Sequence, residues 1–135
     1  MDKSSATDPA AQTHVDAAAA AAILQTLADD SGLKPWKLGG KTMIPVVQGG
    51  MGVCVSAGGL AGAVARLGGV GTVSSVDLRR LHPDLMARTG HLDKEPDARV
   101  LIDAANLEAL DREIRRARAL AQGREIGRAS CRERV

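Results

Sequence analysis

Between Met43 and Ser74 the chain reads MIPVVQGGMGVCVSAGGLAGAVARLGGVGTVS, two short apolar runs separated by a glycine cluster, a helical pattern and a second glycine pair. Met43 to Gln48 is almost continuously apolar, which is how a parallel strand covered on both faces reads. Gly49, Gly50, Met51 and Gly52 end it. From Ala57 to Leu67, residues Leu60, Ala61, Val64 and Leu67 recur at three- and four-residue intervals, as one face of a helix requires, and Gly68-Gly69 stops that helix. Val70 to Ser74 is the next strand. Strand, loop, helix and strand within about thirty residues predict a right-handed βαβ unit and an α/β fold with a parallel sheet.

The flanking segments are read around this unit. Val15 to Leu27 is expected to be helical on its alanine content, with everything before Thr13 disordered. Gly39-Gly40, within Lys37 to Thr42, is expected to turn a hairpin that leads into the first strand. Asp77 to Met86 is expected to hold a short helix broken by Pro83, and Thr89 to Pro96 is polar and turn-rich, so this region reads as an insertion loop. Asn106 is expected to cap a helix whose apolar stripe is Leu107, Leu110, Ile114, Ala117 and Ala121, ending before Gly123. Its charged face pairs Glu108 with Arg112 and Asp111 with Arg115 at four-residue spacing. A third strand is expected directly after it.

Composition limits what can fill the core. With no Phe, no Tyr and one Trp among 135 residues, the core must come from Val, Leu, Ile, Met and Ala. The formal charge is +2, but removing Arg128, Arg132, Arg134 and Glu133 leaves equal numbers of each sign. No basic run with interleaved aromatics remains, so no nucleic-acid partner is expected. The Ala17 to Ala22 run is too short and too weakly apolar for a membrane span or signal peptide, so no membrane partner is expected either. Cys131 lies in the terminal segment, leaving Cys54 alone without a disulfide partner, as fits a reducing cytoplasm.

The glycine cluster carries the chemistry. In parallel α/β folds ligands bind at the C-terminal ends of the strands, where Gln48, Gly49, Gly50, Met51 and Gly52 fall. Glycines there let main-chain amides approach a flat or anionic ligand, and Met51 offers a polarizable contact to an aromatic ring. A tight turn needing positive φ also explains the glycines, which are common after a strand, and the residues alone leave both readings open. A dinucleotide fingerprint fails on spacing, because Val55 stands where its third glycine belongs. Cys54 reads as a small packed hydrophobe. His14, His82 and His91 show no partner acid and no metal-ligand spacing, and no metal is expected. Asp77, Arg79 and Arg80 read as solvated loop charges.

The order Pro45, Gln48-Gly49-Gly50-Met51, Leu60-Ala61 and Gly68-Gly69-Val70-Gly71 resembles the opening of the nitronate monooxygenase (2-nitropropane dioxygenase) family, whose relatives include FMN-dependent enoyl-ACP reductases. The resemblance implies the first βα units of a (β/α)8 TIM barrel over residues 36–124, preceded by a variable segment over 1–35. It implies FMN as cofactor, with Gly50, Met51 and Gly52 lining the isoalloxazine and Gln48, Gly49, Ser74 and Ser75 beside it. Alkyl nitronate and molecular oxygen would be the substrates. Cys54 departs from the pattern, which has glycine there. The catalytic histidine of the family belongs to a later part of the barrel, so no catalytic residue is assigned. Such a barrel takes roughly 250 residues, with phosphate loops after its late strands. Glu125 to Val135 (EIGRASCRERV) resembles translated sequencing adapter and is read as a non-native tail, so the chain is expected to be an inactive N-terminal fragment of that oxidoreductase. An enoyl-ACP reductase using a nicotinamide cofactor is the alternative activity, and a non-functional open reading frame the alternative of another class.

Overall fold

The computed structural model describes residues 16–92, 95 and 98–122. The expected disorder before Thr13, residues 93, 94 and 96 of the Thr89 to Pro96 loop, the stop at Gly123 and the Glu125 to Val135 tail lie outside the described residues. Helix α1 spans Ala17–Asp30, capped by the Asp16 carboxylate accepting from Ala18 N at 2.9 Å. It runs three residues past the expected end at Leu27. It stops at Ser31 and Gly32, whose φ of 71° lets its N–H reach Asp29 O at 3.2 Å.

The hairpin forms as expected. Strands β1 (Trp36–Leu38) and β2 (Lys41–Met43) pair antiparallel, with Trp36 opposite Met43 and Leu38 opposite Lys41. Gly39 and Gly40 sit at φ 57° and 78°, the double positive φ of a two-residue hairpin turn.

The βαβ path is also present, with thinner strands than expected. Helix α2 covers Gly58–Arg66, within one residue of the Ala57 to Leu67 reading at each end. Gly68, at φ 95°, donates to Ala65 O, and Gly69 donates to Val64 O, a paired C-terminal cap that returns the chain. Residues 44–48 then run parallel to 68–72. Ile44 N bonds Gly68 O, Val70 N bonds Val46 O and Gln48 N bonds Val70 O, at 2.9 to 3.0 Å. These bonds make one parallel bridge, Val47 to Val70, where two full strands were expected. Met43 belongs to β2 instead, and Pro45 has no N–H to donate. The expected burial on both faces fails as well, because Val46 and Val47 are 51% and 48% exposed. Among the described residues no layer covers that side.

The insertion supplies the centre of the core. Asp77 leads into a 3-10 turn over Leu78–Leu81, helix α3 (Pro83–Thr89) and a second 3-10 turn over Gly90–Leu92. Pro83 opens α3 and breaks nothing, since a first-turn residue needs no amide donor. Leu78 and Leu85 are fully buried and are the largest such side chains.

Helix α4 spans Arg99–Ala121, so Asn106 is interior to it and caps nothing. Its Oδ1 accepts from Arg79 N at 3.2 Å, tying the 3-10 turn to the helix. The buried stripe is Ala105, Ala109, Glu113, Ala117 and Ala121, while Leu107 is 67% exposed. The α2 face it meets is equally small: Gly58, Ala61, Gly62 and Ala65. A Cβ on Gly62 would lie 2.7 Å from Leu120 Cβ and 2.8 Å from Ala117 O, so the two helices meet close to backbone contact. Of the expected stripe, Ala117 and Ala121 are buried, Leu110 and Ile114 are half-buried, and only Leu107 is left outside by that proximity. Among the described residues no helix is long and apolar enough to cross a membrane.

Candidate functional site

At the C-terminal ends of the two parallel segments the chain presents residues 49–57 as a loop. Gly49, Gly50, Met51 and Gly52 are all exposed. None of the three glycines has a positive φ, so the turn explanation does not apply to them. Packing accounts for one. A Cβ on Gly52 would sit 3.3 Å from Val76 Cβ, whereas on Gly50 it would make an ordinary 3.5 Å contact with Thr72 and on Gly49 it would meet nothing within 4 Å. Met51 is half-exposed beside them.

Gln48 and Ser56 hold this loop from beneath. Gln48 Nε2 lies 2.7 Å from Ser56 Oγ, 3.1 Å from Thr72 O and 3.2 Å from Gly49 O, and Gln48 Oε1 accepts from Thr72 N at 3.2 Å. The side-chain amide thereby bonds the Thr72 main chain in both directions, as a strand neighbour would. Ser56 is fully buried. Its Oγ accepts from Met51 N at 2.9 Å and donates to Gly49 O at 3.2 Å, while its main chain bonds Met51 O and Ser74 N. Ser56 was missed by sequence reasoning, although a serine just ahead of a helix is a recognisable signal.

Ser74 is buried, with its N–H spent on Ser56 O at 2.8 Å, and Ser75 is partly exposed at the same end. Cys54 is partly buried at φ 65°, with Sγ 3.7 Å from Asp77 O. Burial pushes its thiol pKa up, the Asp77 and Glu113 carboxylates add to the rise, and Arg80 opposes it.

Two polar readings change. Arg79 is 2% exposed, no solvated charge: Nε meets Asp77 Oδ1 at 3.0 Å and Nη1 bonds Thr89 Oγ1 at 3.0 Å. Arg80 does stay exposed beside Asp77. His82 has an acidic neighbour after all, Glu113 Oε1 at 3.3 Å from Nε2. Glu113 is itself buried, and its Oε2 accepts from Gly58 N at 2.7 Å, supplying from α4 the cap that Ala57 cannot give α2. Sequence spacing carried that signal, because Glu113 falls in the four-residue alanine register of α4. His14 lies outside the described residues and His91 is exposed. Among the described residues no group of three or more His, Cys, Asp or Glu side chains could hold a metal ion.

No protein-family model, curated protein or solved structure matches the chain.

Proposed function

We propose that residues 36–124 are the opening βα units of an FMN-binding barrel oxidoreductase that oxidises alkyl nitronates with molecular oxygen, and that Gly49 and Gly50 seat the isoalloxazine against the main chain. The carrying observation is that these two exposed glycines are required by neither backbone conformation nor packing. Close approach of a flat group from outside the described residues gives both a reason. Two further features agree with the resemblance of residues 44–75 to the nitronate monooxygenase family. Cys54 stands where that family has glycine, and its φ of 65° is the conformation glycine favours. Val46 and Val47 point to opposite faces and are both about half-exposed, the two faces that a barrel covers with its interior side chains and its outer helices.

FMN, when bound, supplies the electron transfer to oxygen. The chain's own part is positional: Met51 offers its thioether to the ring, Gly49 and Gly50 leave the main chain bare, and Ser75 sits at the same strand end. The test is flavin content of the longer gene product that the resemblance implies. Purified protein should carry noncovalent flavin, and Gly50→Val should lower its occupancy by setting a branched side chain where the ring approaches. Flavin-free purified protein would overturn the reading.

A further inference from the structure

Resting on the flavin reading, we infer that Ser56 is a positioning residue for the glycine loop and that Gln48 serves the same purpose and is no cofactor ligand. Both hydroxyl lone pairs and the hydroxyl proton of Ser56 are committed within the loop, to Gln48 Nε2, Met51 N and Gly49 O. Nothing of it is left for a ligand, and it is fully buried. Gln48 is committed in the same way, its amide divided among Ser56, Gly49 and both main-chain groups of Thr72. The inner side of the loop is thus fastened at Gly49 and Met51, the residues on either side of Gly50. With those two points fixed, Gly49 turns its carbonyl inward while Gly49 and Gly50 stay exposed, with open space where a Cβ on Gly49 would stand. A fastened loop presents its amides without an ordering cost when a ligand arrives, which is where affinity is otherwise lost.

The experiment uses the 135-residue chain, labelled with nitrogen-15, with two readouts: hydrogen exchange at the Met51 amide, and amide shifts on addition of millimolar FMN. Wild type should protect Met51 and shift Gly49 and Gly50. Ser56→Ala should raise Met51 exchange at least tenfold and abolish the FMN shifts. Ser56→Thr, which keeps the hydroxyl, should restore both. Gln48→Ala provides a second test that leaves the serine in place, and should speed exchange at Thr72 while weakening the FMN shifts. Unchanged Met51 protection in Ser56→Ala, with helical circular dichroism intact, would overturn the positioning role. A protected, Ser56-dependent Met51 amide, together with a longer gene product that purifies free of flavin, would instead overturn the flavin reading and leave the loop-fastening role standing.

Discussion

Cys54 holds its backbone at φ 65°, a region that costs an L-residue about 1 kcal/mol or more and glycine almost nothing. Cys54→Gly is therefore expected to stabilise the fold by about 0.5 to 1 kcal/mol, after allowing for the looser unfolded chain, as read from urea unfolding. An unchanged midpoint would mean the loop relaxes at no cost. The thiol gives an independent check. Because burial raises its pKa, alkylation should accelerate only above the pH at which an ordinary cysteine reacts. Arg79 is the opposite lesson at this scale. Nothing in the local sequence separates it from Arg80, yet Arg79 is buried against Asp77, Met86 and Thr89. Arg79→Ala should cost about 2 to 3 kcal/mol, since charged hydrogen bonds are lost from a closed site. Arg80→Ala should cost little, and similar losses from the two would count against the buried assignment.

The α2/α4 contact makes two glycines behave in opposite ways within one helix. Gly59 has only the flexible end of Arg116 near a prospective Cβ, at 3.6 Å, so Gly59→Ala should stabilise by about 0.5 to 1 kcal/mol through helix propensity. At Gly62 the same substitution should destabilise by about 1 to 3 kcal/mol, because the methyl meets Leu120 and the Ala117 carbonyl. Equal effects at both positions would show that the helices are not packed at backbone distance. The α3/α4 contact is polar and predicts a pH response. Arg112 grips Asp84 with both nitrogens at 2.8 and 2.7 Å, and that hydrogen bonding lowers the Asp84 pKa from 3.8 to about 2. A depressed carboxylate contributes above its unfolded pKa, and the contribution fades as pH falls from about 4 through about 2. Carboxyl NMR should therefore find Asp84 ionised at pH 3, and added salt should shrink the depression, since the pair is exposed. An ordinary titration would mean that the contact is not populated.

Over the whole molecule the apolar surface is distributed unevenly. The core is built on alanines with Leu78 and Leu85, while Val46, Val47, Val53 and Val55 stay about half-exposed near a parallel bridge that, among the described residues, has no strand on its outer edge. An open edge flanked by valines invites pairing with another chain. Light scattering should therefore show concentration-dependent association that Val47→Lys suppresses, and a monomer at high concentration would contradict this. On the proposed barrel the phosphate loops come late in the chain, so residues 36–124 supply only part of a flavin site. This chain should not saturate with FMN at micromolar concentration, and a titration that did so would show the two βα segments to be a binding unit by themselves.

What the sequence determined is what local physics governs. Gly39-Gly40 sets a hairpin because both residues must take positive φ, and Gly68-Gly69 ends α2 by the same freedom, so both turns and the helix between Gly58 and Arg66 were legible. The glycine loop was legible as the end of the first parallel segment but not in its workings, because Ser56 and Gln48 act on residues brought together by the parallel return of the chain. Tertiary structure decided the rest. It added Ala105, Ala109 and Glu113 to the buried face of α4 and left Leu107 out, since backbones this close admit only small side chains there apart from one hydrogen-bonded acid. It also turned the apparent insertion into the core, because Leu78 and Leu85 fill the space beside helices too small-faced to fill it themselves, a volume that no local pattern encodes.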